Sequence, residues 1–165
     1  MADARYEIRL FDKALHDRRA FSCGVEAMDR WIKYSVSDQV KSNRLRLWCA
    51  NDRNDKFAGF YGLTAHSVNP DDAPSLAKRK ERRPIPTIYL PALAVDKTCQ
   101  GQGVGGALLA DAIVKSLEIS ENIGAAALIL DVLGDDDFDK RKAFYLKLGF
   151  TVIGNGDPKR LFLSI

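Results

Sequence analysis

The chain is poor in the residues that usually announce metal or redox chemistry. Its 165 residues include 2 histidines and 3 cysteines. Cys23, Cys49 and Cys99 stand far apart, with neither a paired-cysteine nor a Cys/His spacing that would suit zinc or a redox couple. Free thiols in a reducing compartment are expected, and no metal site. No apolar run is long enough for a membrane span. Met1 to Leu10 carries charges where an export signal would place an apolar core, so a cytoplasmic location without membrane contact is expected. Internal repeats and low-complexity segments are absent. A hydrophobic content of 46% with 28% charged residues describes an ordinary globular chain. The length suits a single domain over residues 1–165 with a real core.

Net charge is also low, at +3, but it is unevenly placed. Lys78, Arg79, Lys80, Arg82 and Arg83 against Glu81 give one short loop a charge of +4, and the remainder is close to balanced. Such a cluster either keeps a loop solvated or meets a phosphate-bearing partner.

Hydrophobic periodicity orders the elements. Tyr6 to Leu10 alternates as a strand. A helix is expected from about Val25, with Met28, Trp31, Ile32 and Val36 on one face. Leu45 to Ala50 and Phe57 to His66 read as strands around a turn over Asn51 to Lys56. Gly59 and Gly62 mark either a bulge or a close backbone approach. Asn69 to Pro84 is a polar loop holding the basic cluster. Ile85 to Asp96 reads as one strand interrupted by Pro91, which cannot donate to a ladder and so implies a bulge or a splayed edge. Ala107 to Leu117 is a helix, Ala125 to Leu133 an apolar strand, and Phe138 to Leu148 a helix capped by Gly149. Phe150 to Ile153 and Arg160 to Ser164 close the sheet. Antiparallel strands followed by strand–helix–strand–helix–strand imply a mixed α+β sheet with at least one right-handed parallel crossover.

Between the Pro91 strand and the next helix lies Gln100-Gly101-Gln102-Gly103-Val104-Gly105-Gly106. Four glycines in seven residues allow a tight turn and close approach to another molecule. A turn feeding straight into a helix aims unpaired N–H groups, and the positive end of the helix dipole, at one point. That arrangement suits a pyrophosphate.

Leu93-Ala94-Val95-Asp96, then Gln100-x-x-Gly103-x-Gly105, then Phe144-Tyr145-Leu146-Lys147-Leu148-Gly149-Phe150 together resemble the GNAT acetyltransferase superfamily. The run from Phe21-Ser22-Cys23-Gly24 to Trp31, with Gly59 to Ala65 and Ile85-Pro86, resembles the GNAT-type toxins of bacterial toxin–antitoxin pairs. The resemblance covers most of the chain. It implies a GNAT fold: an α+β (mixed α/β) domain whose central, mostly antiparallel sheet has a splayed parallel strand pair and flanking helices. It implies transfer of acetyl from acetyl-CoA to a primary amine, the α-amino group of aminoacyl-tRNA, and so a block on translation. It further implies a ribbon-helix-helix antitoxin and a homodimer. Two departures stand near the implied site. Ala92 occupies a place where this branch often has Arg, and Gly134 to Asp139 is an unusually acidic approach to the Phe-Tyr helix. Acetylation of a small-molecule or protein amine, or non-catalytic CoA sensing, are the alternative readings.

The resemblance assigns pantetheine to the backbone of Leu93, Ala94 and Val95, whose side chains would otherwise be plain core. It assigns the pyrophosphate to Gln100, Gly101, Gln102, Gly103, Val104, Gly105 and Gly106. Tyr145 is the implied acid that meets the leaving thiolate, a role worth about 10²–10⁴-fold; by residue pattern alone it is a core aromatic. A lysine amine, with pKa about 10.4, needs a base, whereas an α-amine at about 7.7–8.0 is already partly neutral. The run Ile85 to Val95 contains no Asp, Glu or His, and Asp96 reads as a turn cap. This favours an α-amine, with a water chain or Asp131 as the remaining routes for its proton. Lys78, Arg79, Arg82 and Arg83, with Arg44 and Arg46 on a neighbouring strand, are the candidate tRNA contacts. His16 is expected at the surface, His66 as a strand-end polar residue, Cys23 in turn and core packing, and Cys99 next to the glycine loop without an activating partner. Asp135 to Asp139 lacks the glycine and spacing of a calcium loop and reads as solvated.

Overall fold

A computed structural model describes residues 5–165. Its contacts divide into two compact units, residues 5–64 with 91–114, and residues 65–90 with 115–165. The sheet is mixed. The described ladders are antiparallel except for one parallel pair in the second unit.

The first unit begins with β1 (Tyr6–Leu10), paired antiparallel to β2 (Arg46–Asp52), which pairs antiparallel to β3 (Phe57–Val68). A helical run lies between β1 and β2: α1 (Glu26–Arg30), a π segment (Trp31–Ser35) and α2 (Val36–Lys41). Helical periodicity places Ile32 and Val36 inward, both fully buried. They join Phe21, Leu47, Cys49, Phe57 and Phe60 in one apolar cluster, with Phe21 5.0 Å from Phe57 and 5.4 Å from Phe60, ring to ring. β3 is buried continuously from Phe57 to Leu63, because both its faces are covered. On its opposite face Tyr61 stacks on Trp48 at 5.2 Å, and its hydroxyl donates to Asp111 Oδ2 at 2.5 Å. Asp111 belongs to α3 (Val104–Asn122).

Three expectations are refined here. The turn after β2 is shorter than expected, since the strand runs through Asp52. Gly59 and Gly62 mark close approach, and the register shift falls at Ala50/Asn51 instead. His16 is buried, at 3% exposure, and not at the surface. Its Nδ1 accepts the Asp12 N–H at 3.1 Å, and its ring lies between Phe11 and Phe57. A polar ring with its acceptor satisfied by the neighbouring turn tolerates the apolar site.

In the second unit β4 (Ile85–Leu90) pairs parallel with β6 (Ala127–Asp131), β6 antiparallel with β8 (Arg160–Ser164), and β8 antiparallel with β7 (Thr151–Val152). Val68, Ala73, Ile85, Ala127, Ile129, Ile153 and Phe162 form its core on one sheet face. The 69–84 loop helps cover them, held by a bond from Ser75 N–H to the Ile153 carbonyl. α4 (Phe138–Lys147) ends at Gly149, whose φ of +100° takes the left-handed cap conformation.

Candidate active site

The expected strand over residues 85–96 is two strands. β4 stays on its ladder with β6 as far as Leu90. Pro91 interrupts the run, and β5 (Leu93–Val95) then pairs only with β3. The register opposes Phe60 to Ala94, and bonds run from Gly62 N–H to Ala92 O and from Asp96 N–H to Ala58 O. Antiparallel alternation therefore turns the N–H and C=O of Ala92, Ala94 and Asp96 toward β3, and those of Leu93 and Val95 toward the other edge. Among the described residues that edge carries no strand ladder. Gly59 makes the arrangement possible. A Cβ there would lie 2.7 Å from the Ala94 carbonyl oxygen and 2.9 Å from Leu108 Cδ1.

After β5 the chain makes a 3-10 turn (Lys97–Cys99), capped by Asp96, and then the glycine loop. Asp96 is buried and accepts from Thr98 N–H, the Thr98 hydroxyl and Ser22 N–H, which together hold its carboxyl below the ordinary carboxylate range against the opposing effect of burial. It is a cap, as the sequence suggested. Gly101 and Gly103 take φ of +75° and +85°. α3 starts at Val104, three residues earlier than expected, so Val104, Gly105 and Gly106 occupy its first turn. The first helical bond joins Ala107 N–H to the Gly103 carbonyl, so the N–H groups of Val104, Gly105 and Gly106 precede it. A Cβ on Gly101 or Gly106 would meet nothing within 4 Å, and Arg5 Nη2 lies 3.6 Å from the Cβ position of Gly103. The loop thus presents free amides, open space and a nearby guanidinium. Gln100 and Gln102 act as staples: Gln100 Nε2 donates to Cys23 O and Val95 O, and Gln102 Nε2 to Thr98 O.

Sequence reasoning did not anticipate how the Phe21–Gly24 turn is fastened to this loop. Lys97 N–H donates to Ser22 O, and Asp29 accepts from the Ser22 hydroxyl and Cys23 N–H at 2.9 and 2.8 Å. Cys23 is a scaffold residue, and burial pushes its thiol up to about 11. Cys99 is buried at the end of the 3-10 turn.

Within the second unit Tyr145 is half-buried on α4, edge-on to Phe144 and Phe150 at 5.2 and 5.8 Å. Burial pushes its phenol up to about 12, against the pull of Arg141 one helical turn away. Arg141 is itself held by Asp135 and Asp137. The acidic approach to α4 therefore anchors this guanidinium and sits favourably at a helix N-terminus. Asp131 is fixed more firmly. Arg160 Nε and Nη2 grip its two oxygens at 2.8 and 2.7 Å, and Tyr89 donates to Oδ2 at 2.7 Å. The Arg160 bonds chiefly hold Asp131 below the usual carboxylate range. A carboxylate so held accepts a proton less readily than a free one.

The basic residues Lys78, Arg79, Lys80, Arg82 and Arg83 are all exposed, and no ion pair engages Arg79, Arg82 or Arg83 among the described residues. Arg44 and Arg46 are exposed in the first unit, their guanidiniums turned to the carbonyls of Ser42 and Leu45. Among the described residues no group of three or more His, Cys, Asp or Glu is placed to hold a metal, and no helix is long and apolar enough to cross a membrane.

A mixed sheet, a strand broken beside an open backbone edge, and a glycine turn leading into a helix agree with the acetyltransferase fold that the sequence resemblance implies. Residues 43–152 match the acetyltransferase (GNAT) domain model. A probable toxin TacT from Sinorhizobium fredii is 34% identical over 170 aligned positions, covering 98% of this chain and 92% of that protein. A tRNA-acetylating toxin from Mycobacterium tuberculosis is 34% identical over 149, covering 89% and 85%. Among solved structures, AtaT complexed with acetyl-methionyl-tRNAfMet superposes with a TM-score of 0.84 at 26% identity, covering 96% of this chain and 94% of AtaT. The chain belongs to the GNAT acetyltransferase family, and acetyl-CoA is its cosubstrate.

Proposed function

We propose that this enzyme acetylates the α-amino group of aminoacyl-tRNA and acts as a toxin that blocks translation. The single observation that carries the reading is the similarity, along nearly the whole chain, to relatives named as toxins, one of them tRNA-acetylating. The pyrophosphate of acetyl-CoA rests on the loop Gln100 to Gly106, chiefly on the amides of Val104, Gly105 and Gly106. The pantetheine amides pair with the outward backbone groups of Leu93 and Val95, and Ala94 keeps β5 on β3. The neutral amine attacks the thioester carbon, the C–S bond breaks, and Tyr145 meets the thiolate. A phenol raised to about 12 stays protonated at neutral pH. It stabilises the departing sulfur mainly by hydrogen-bond donation, and solvent completes the protonation. Lys78, Arg79, Arg82 and Arg83, with Arg44 and Arg46, contact the tRNA backbone. A ribbon-helix-helix antitoxin, a homodimer and a cytoplasmic location accompany this reading.

The test is acetyl transfer from labelled acetyl-CoA to charged tRNA. Tyr145→Phe is expected to lower turnover by about 10²-fold or more while melting and acetyl-CoA affinity are kept. Unchanged turnover removes Tyr145 from the chemistry. Wild-type activity on lysine peptides or polyamines with none on charged tRNA overturns the substrate.

A further inference from the structure

On the sheet face that carries the second unit's core, the apolar residues give way to a polar rim. Val68, Ile85, Ile129 and Phe162 lie in the core, and His66, Thr87, Tyr89, Asp131 and Arg160 share their face further along the same strands. His66 Nδ1 is 2.9 Å from Thr87 Oγ1, and its ring stacks on Tyr89 at 5.1 Å and 28°. Tyr89 is tied to Asp131, and Asp131 to Arg160. The chain of contacts crosses β3, β4, β6 and β8. Apolar residues would pack this face without the desolvation that a half-buried ion pair and an imidazole require. A cluster of this kind outside the core is a functional candidate on physical grounds. Its position agrees. Tyr89 and Asp131 stand at the carboxyl ends of the only parallel pair among the described ladders, where open sheets bind ligands. Leu90, the residue after Tyr89, is the last on the β4–β6 ladder.

We propose that His66 is the base of this acetyltransferase, taking the proton of the acceptor amine on Nε2 while Thr87, Tyr89, Asp131 and Arg160 position its ring. The inference rests on the amine-acetylating function proposed above. The contact with Thr87 Oγ1 allows either tautomer; the one the proposal uses has Nδ1–H donating to the hydroxyl, which leaves the Nε2 lone pair available, and Nε2 has no protein partner among the described residues. The acceptor arrives as R–NH3+. One N–H proton passes to Nε2, giving imidazolium, and the nitrogen lone pair attacks the thioester carbon. As the C–S bond breaks, the electron pair leaves on sulfur. His66 passes the first proton to water and takes the second from nitrogen as the C–N bond forms; the thiolate takes up one proton from solvent, and His66 returns its own to water. The groups facing the ring are Thr87 and Tyr89 on β4, Asp131 on β6 and Arg160 on β8. Burial first, and then Arg160, lower the imidazole below its ordinary value, with Asp131 opposing, so it is neutral at physiological pH and ready to accept. An α-amine near pKa 8 is about 10% neutral at pH 7, so deprotonation before attack supplies at most about tenfold, and removal of the proton during attack supplies the rest.

The experiment measures kcat/KM of the full chain on charged tRNA across the pH range in which imidazole and an α-amine titrate, for wild type, His66→Gln, His66→Gly and Thr87→Val. Acetyl-CoA affinity and melting are measured alongside. Wild type that acetylates no charged tRNA refutes the proposed function and says nothing special of His66. With active wild type, His66→Gln is expected to lose about 10²-fold near neutral pH, with the deficit shrinking as pH rises through the amine's range. Added imidazole is expected to restore part of the rate of His66→Gly. Thr87→Val, which keeps the ring, is expected to fall between them with unchanged acetyl-CoA affinity. Wild-type kcat/KM in His66→Gln overturns the inference. So does a pH-independent loss that imidazole does not relieve, because that is the mark of packing alone.

Discussion

Replacement of Gly59 by alanine tests the arrangement that frees one edge of β5. The added methyl would stand 2.7 Å from the Ala94 carbonyl oxygen, 2.9 Å from Leu108 Cδ1 and 3.4 Å from Val95 Cα. Leu108 can turn its tip aside. Ala94 O is backbone, bonded within the β3–β5 ladder, and must retreat about 0.8 Å to reach an ordinary contact of about 3.5 Å. Overpacking of this kind costs about 1–3 kcal/mol, and the loss of glycine's freedom in the unfolded chain returns about 0.4–1 kcal/mol. The net loss of about 1–2 kcal/mol lowers Tm by about 2–8 °C in a protein of this size. The functional effect is expected to be larger, because the displaced strand is the one proposed to align the thioester. Misplacement approaching 1 Å costs up to about 10²-fold, so kcat/KM should fall at least about tenfold. Gly62→Ala is the internal control. Its methyl would meet the flexible tip of Leu45 at 2.9 Å and backbone only at 3.6 Å, so it should melt closer to wild type and retain acetyl-CoA binding. Calorimetric acetyl-CoA titration and thermal melts of both variants decide the matter. If Gly59→Ala binds and melts like wild type, β5 is not clamped against Gly59, and the account of its free edge fails.

Two further outcomes are expected of the same fold. Gly106→Ala adds a methyl where nothing stands within 4 Å, in a helical turn where alanine is worth about 0.5–1 kcal/mol more than glycine. Melting should hold or rise while acetyl-CoA affinity falls, and unchanged affinity would show that the diphosphate does not approach this turn. His16 is lowered below its ordinary value chiefly by burial, and His66 shifts the same way. The unfolded chain therefore binds more protons than the folded one. Stability is complete above about pH 6.5 and declines as pH falls toward the folded-state values, before carboxylates titrate near about pH 4. A flat melting temperature between about pH 7.5 and about 5.5 would contradict the burial of both rings.

What the sequence made legible is what backbone geometry demands of residue type. Pro91 cannot donate to a ladder, and the strand breaks there. Gly149 terminates α4 at a positive φ, and the glycine loop opens onto the amides of α3. His16 was misread because nothing nearby in sequence discloses that Phe57, some forty residues on, closes over it. The exact break between β4 and β5, and the fastening of Ser22 and Cys23 to Asp29 and the loop, are likewise long-range matters. The partner of Asp131 is equally hidden, because Arg160 lies 29 residues away in the chain but bonds to both its oxygens.

The same distinction separates the two substrates. Acetyl-CoA is a constant ligand, and a scaffold can hold it with main-chain amides, which constrains sequence at positions where a Cβ would intrude. Recognition of the acceptor amine falls to side chains, and in the proposed cluster these come from four strands, β3, β4, β6 and β8. His66 and Thr87 are 21 residues apart in the chain and 2.9 Å apart in space, so no local motif can record them. The Ile85 to Val95 run lacks any acid or base of its own. A proton route made of side chains would therefore come from another strand, and the one imidazole on the second unit's sheet is that of His66, with its Nδ1 at Thr87.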